Sequence, residues 1–131
     1  MKALYEVQSI SSSAKGKEIL KRFGIIYIIL DLSTLALLLL HITAASNSPE
    51  FIFCHELAQV TVTILTNMVF GDTAAKDHVI TCHGFIDLVA RNLSTKNKKV
   101  ESLIILLCNL LKNIFHAGSP SGSFSKIFNF A

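Results

Sequence analysis

Tryptophan is absent from this 131-residue chain, prolines number two, and charged residues make up only 16%. Low charge beside 51% apolar residues excludes a disordered or low-complexity chain, because there is ample apolar surface to bury. Twelve Lys+Arg against nine Asp+Glu leave a net charge of +3, and the lysines are scattered apart from Lys96, Lys98 and Lys99. A polybasic nucleic-acid binder is excluded on that ground. Cysteines are few and odd in number: Cys54, Cys82 and Cys108, with no CxxC pair. They make no disulfide framework and point to buried thiols in a reducing compartment, so a cytoplasmic location is expected. Met1 to Ser13 has neither a long apolar core nor a small-residue cleavage site, so no signal peptide is expected. The sequon Asn92-Leu93-Ser94 would matter only on a secreted route. Hairpin signals and sustained alternation are also missing, which leaves no place for strands. The length suits one domain.

What remains is helical. From Lys98 to Phe115 the positions Val100, Leu103, Ile104, Leu107, Leu110, Leu111 and Ile114 follow helical spacing. Ile105, Leu106 and Cys108 fill the other faces, so this helix is expected to be buried nearly all round. Asn97 is its N-cap, and Gly118-Ser119-Pro120 ends it. Ser48-Pro49-Glu50 starts a helix that runs to Phe70, since nothing breaks it before Gly71. Its β-branched Thr61-Val62-Thr63 weaken the helical preference. Asp72 caps a short segment, Thr73 to Cys82, and a further helix, Phe85 to Leu93, presents Phe85, Leu88, Val89 and Asn92 on one side. Residues 1–115 then form the helical domain. Residues 116–131 form a tail with Gly, Ser and Pro in its first half and Phe124, Phe128 and Phe130 in its second.

Residues 23–45 carry the longest apolar run, enough to cross a bilayer, with Lys15, Lys17, Lys21 and Arg22 before it. Asp31 near its middle would cost roughly 2.5–3.5 kcal/mol on insertion scales. A helix buried inside a soluble helical stack has the same hydropathy. Both readings follow from the residues, with the soluble one leading.

Two segments of the chain match each other. Gly24 falls on Gly84 and Ile26 on Ile86, and each segment soon reaches a Leu-Ser-Thr triplet, Leu32-Ser33-Thr34 and Leu93-Ser94-Thr95. ILTNM (64–68) and LLCNL (106–110) each set an asparagine in an apolar helix, so that Asn67 and Asn109 stand 42 residues apart. A period of 40–47 marks two- or three-helix solenoid repeats. The glycines are 60 apart, and the excess of 18 falls in Leu35 to Phe51, lengthening the second helix or adding one. At Gly84 two helices would turn sharply and touch closely.

On these residues the segment HVITCHGFIDLVARNLSTKNKKVESLIILLCNLLKNI (78–114) resembles one armadillo repeat. AQVTVTILTNMVFGD (58–72) looks like the third helix of the repeat before it, and residues 4–34 like the end of a still earlier one followed by first and second helices. The resemblance covers about 100 of the 131 residues. It implies an all-α, right-handed solenoid of about two to three repeats, a piece of a longer array or a truncated form. It also implies a non-enzymatic protein-binding module with no cofactor. In armadillo proteins that bind extended peptides, an asparagine on each third helix bonds the ligand backbone, which here carries over to Asn67 and Asn109. Lys112 and Asn113 fall near the groove edge. The branch that reads nuclear-import signals has a tryptophan one turn earlier, where this chain has Thr63 and Ile105, so that ligand is not expected.

Other motifs carry less. His55-Glu56-Leu57-Ala58-Gln59 lacks the second histidine of a zinc-protease helix, and no three ligands are fixed together around His78, Cys82 and His83. No catalytic or metal site is expected. The partner is another protein or peptide, not nucleic acid; a membrane enters only if residues 23–45 anchor the chain.

Overall fold

Four short polar side chains punctuate the chain. Ser13, Ser48, Asp72 and Asn97 accept hydrogen bonds from the backbone N–H of Gly16, Phe51, Ala75 and Lys99 at 3.0, 3.3, 3.0 and 3.0 Å. Each satisfies a donor that the first turn of a helix leaves free. A computed structural model describes residues 1–43, 48–95 and 97–115. Its helices are α1 (Lys2–Ser11), α2 (Ala14–Arg22), α3 (Ile25–Thr43), α4 (Pro49–Val69), α5 (Thr73–Thr81), α6 (His83–Leu93) and α7 (Glu101–Ile114), with one 3₁₀ turn, Lys98–Val100, leading into α7. The protein is all-α: among the described residues there is no strand. The expected tail, 116–131, and Gly118 within it lie outside the described residues.

The core is organised around α4. Ala58, Val62, Ile64, Leu65 and Val69 are fully buried, and these positions point in several directions from the helix axis. Such a helix needs neighbours on more than one side. It packs against α3, α1 and α7, while α3 packs in turn against α6. The β-branched run survives because threonine hydroxyls bond back into their own helix. Thr61 and Thr63 donate to the carbonyls of Leu57 and Gln59, both at 2.8 Å, so Thr61 can be fully buried without an orphan hydroxyl. Ser33 on α3 differs: it is fully buried and its hydroxyl has no partner among the described residues.

The boundaries capped by Ser48, Asp72 and Asn97 follow the sequence signals, as do the buried Phe85, Leu88, Val89 and Asn92 of α6, whereas the Ser13 cap was not singled out. The helices differ in length: α3 has 19 residues and α4 has 21, against 11 in α6 and 14 in α7.

Two expectations are corrected. α7 is not buried all round. Leu103, Leu107, Leu110 and Ile114 are sealed, but Ile105 is 59% exposed and Cys108 is exposed. The reason is position: α7 has α4 and α6 to one side and no further helix among the described residues to cover the other. Gly84 is not at a tight turn either. It lies in the first turn of α6, exposed, and a Cβ built on it meets nothing within 4 Å. Its sequence counterpart Gly24 sits between α2 and α3 with φ +64°, a left-handed conformation that only glycine adopts without strain, so the aligned glycines do different work. The close approach belongs to Gly16. A Cβ there would stand 1.8 Å from the carbonyl oxygen of Ile10, where α2 folds back on the end of α1.

Gly16→Ala should therefore lower stability by about 1–3 kcal/mol, the usual cost of overpacking. Gly84→Ala should leave it unchanged or raise it by up to about 1 kcal/mol through helix propensity. Thermal denaturation of the two variants checks this; a larger loss at Gly84 would contradict the packing described.

Candidate partner-binding face of α1, α4 and α7

Four side-chain bonds tie α4 to the helices beside it. The Tyr5 hydroxyl of α1 donates to Oε1 of Glu56 at 2.7 Å, and Nδ2 of Asn67 donates to Oγ of Ser11 at 3.0 Å. On the other flank, Nε2 of Gln59 donates to Oγ of Ser102 at 2.8 Å, and Nδ2 of Asn113 donates to the carbonyl of Thr66 at 3.1 Å. Residue numbers rise together across both pairs of helices. All three helices therefore run in the same direction, with α4 in the middle. Beyond them Lys17 of α2 closes the end of α4, donating to the carbonyl of Phe70 at 3.2 Å with its ammonium 5.3 Å from the Phe70 ring centre. That lysine satisfies a carbonyl that the helix end leaves free.

The tied residues, with Thr63 between them, make a polar stripe along α4. Glu56, Gln59, Thr63, Thr66 and Asn67 are half-buried at helical spacing, between exposed Ile52 and Phe70. The hydrogen bond to the Glu56 carboxylate, with partial burial and the carboxylate charge behind it, raises the Tyr5 phenol above its ordinary value. The hydroxyl therefore stays a donor at neutral pH.

The sequence-derived site residues fall into two groups. Asn109 and Lys112 are exposed on α7, with no bond to other described residues. Asn67 and Asn113 are half-buried and partly spent, Asn67 on Ser11 and Asn113 on Thr66. The carbonyl oxygen of Asn67 has no bond to a described residue. The α4–α7 ties join residues 43 and 47 apart, from one residue to about a turn beyond the asparagine spacing. Gln59 and Ser102 were not singled out from sequence. Their 43-residue separation is the signal that could have found them.

The cysteines divide in the same way. Cys54 is buried in α4, and burial, followed by the nearby Glu50 carboxylate, pushes its thiol pKa up. Cys82 is half-buried. Cys108 is exposed, which corrects the expectation that all three would be covered; it shares the open face of α7 with Ile105 and Asn109.

Other motifs are dispersed. His78 meets Tyr27 edge-on at 4.5 Å between ring centres, and His83 is exposed. Among the described residues no group of three His, Cys, Asp or Glu could hold a metal ion. Lys98 is exposed, and the Lys99 ammonium lies 5.8 Å from the ring centre of buried Phe51; Lys96 is outside the described residues. His55 stacks on the same phenylalanine at 5.9 Å, with its Nε2 sealed from solvent and without a partner among the described residues. No family model, no curated protein and no solved structure matches this chain.

Burial holds the His55 imidazole pKa below its ordinary value of 6.5, so the folded chain keeps it neutral while the unfolded chain takes up a proton near 6.5. The unfolded state then binds more protons in the window just below 6.5, and stability present above that pH is lost as pH falls through it. The thermal midpoint should drop between pH 7.5 and 5.5. His55→Phe, which keeps the ring on Phe51, should flatten that slope. An equal slope in the variant would show that His55 is not the group responsible.

Proposed function

We propose that the chain is a non-enzymatic interaction module that holds an extended or helical segment of another protein along the face of α1, α4 and α7. In this reading the helices form an armadillo-like, right-handed solenoid of two to three units. The observation that carries it is the parallel side-by-side run of α1, α4 and α7, tied at 51- and 56-residue spacing between α1 and α4 and at 43- and 47-residue spacing between α4 and α7. Stacked helical units generate such runs, because each unit buries its apolar face on the next. The packing of α3 on α6 supplies a second layer.

A polar face over an apolar core suits recognition of a peptide backbone. The Asn109 amide offers both donor and acceptor, matching a peptide unit, and the Asn67 carbonyl oxygen adds an acceptor. Packed helices stand roughly 8–10 Å apart, so adjacent helices meet an extended ligand at about every third residue. Lys112 adds a cation at the edge, while Asn113 works mainly as a tie between helices. The setting is cytoplasmic and no cofactor is involved.

A second reading rests on α3. It and α4 are long and apolar enough to cross a membrane, a test that core helices of soluble proteins also pass, and the outer face of α3 is apolar. Carbonate extraction separates the two: release supports the soluble module, and pelleting supports an anchor at residues 23–45.

Peptides selected from a random display library against the purified chain should bind on this face. Asn109→Ala combined with Lys112→Ala should weaken them roughly 5- to 100-fold, as two lost hydrogen bonds would, with the thermal midpoint unchanged. Binders indifferent to both substitutions would place the ligand surface elsewhere.

A further inference from the structure

The outward face of α3 is not built like a soluble surface. Ile28, Asp31, Leu35, Leu38 and Ile42 are all exposed and follow one another at spacings of 3, 4, 3 and 4 residues. That is the seam spacing of a two-helix coiled coil. The four apolar members are 41 to 66% exposed, and Tyr27 beside them 57%. Leu32 and Leu39 extend the apolar surface as half-buried flanks. At the end of the seam, Leu39 and Thr43 join Pro49, Glu50, Phe53 and Cys54 of α4 around a groove of about 490 Å³.

We propose that this face is the interface of a homodimer in which α3 pairs with α3 of a second copy, antiparallel, about a two-fold axis between Leu35 and Leu38. Charge decides the direction. The seam holds one carboxylate, Asp31, and His41 is exposed further along the helix; neither forms a hydrogen bond or ion pair with another described residue. A parallel pairing sets Asp31 against Asp31, two carboxylates that repel. The antiparallel pairing sets Leu35 on Leu38 in both halves and brings each Asp31 beside the imidazole of His41 on the other copy. Both ends of the interface gain an acid–imidazole pair, as an isologous contact requires. In that register Ile28 of each copy reaches the groove beside Leu39 and Phe53.

The area is of the right order. At ~200 Å² for a large side chain, the seam with Tyr27 and Phe53 exposes roughly 600–700 Å² of apolar surface. That exceeds what most monomers leave in one patch and approaches the ~800 Å² that each partner of a stable dimer buries. The inference does not depend on the peptide face, which is built on other helices.

Light scattering on the full chain in detergent-free buffer, at tens of micromolar, should give twice the 14.4 kDa chain mass. Leu38→Glu should weaken association roughly a hundredfold, as loss of a central contact does, while circular dichroism and the thermal midpoint stay unchanged, since Leu38 does not fill the core. Asp31→Lys should also weaken it, and Asp31→Lys combined with His41→Glu should restore it, because a cation and a carboxylate then face each other across both ends of the interface. A monomer at every concentration, a dimer indifferent to Leu38→Glu, or no rescue by the exchanged pair would overturn the proposal. So would co-sedimentation with phosphatidylcholine vesicles that Leu38→Glu abolishes, which would give this face to lipid.

Discussion

Everything in this structure depends on covering α4. Its buried residues include Leu57, Ala58, Val60, Thr61, Val62, Ile64, Leu65, Met68 and Val69, which take up most of the helix surface outside its polar stripe. No single neighbour can shield such a surface, and each large side chain left in water would forgo about 1.5–3 kcal/mol. Hence α3 on one side and α1 and α7 on others, each offering an apolar stripe. The same demand fixes direction: α1 and α7 both run parallel to α4 and bond to it through side chains.

Helix ends were legible because their causes are local. A capping side chain reaches a backbone N–H two or three residues away, so Ser48, Asp72 and Asn97 announce their helices in one dimension. The inward face of α6 was legible for the same reason, since period alone selects Phe85, Leu88, Val89 and Asn92. Periodicity does not say how many sides of a helix find neighbours. α7 and α4 are both apolar on several faces, yet Ile105 and Cys108 lie open on α7 while Val62, Ile64 and Leu65 of α4 are all buried. The glycines teach a similar lesson. Gly84 looked like a contact point because of a repeat alignment, whereas Gly16 is tight because the end of another helix, at Ile10, lies against it.

The candidate site was half legible. A 42-residue spacing pointed to the two helices that lie side by side, but not to what their polar residues bond. Asn67 and Asn113 give a hydrogen bond each to a neighbouring helix, and buried or half-buried amides tend to be used in this way. Asn109 and Lys112 stay open because no described helix lies beyond α7. Two unlike surfaces result: a polar one along α1, α4 and α7, cross-linked by its own hydrogen bonds, and an apolar one along the outside of α3. Chemistry separates what each can hold.

The parallel placement of α4 and α7 underlies both the core and the candidate site, and cross-linking tests it directly. In a chain whose native cysteines are replaced by alanine, cysteines at 59 and 102 should be joined readily by a short thiol cross-linker, because Gln59 and Ser102 touch. Cysteines at 59 and 113 should not, since eleven residues of helix put Asn113 about 16 Å further along α7. Efficient joining of 59 to 113, with none between 59 and 102, would mean that α7 runs the other way and would contradict the account.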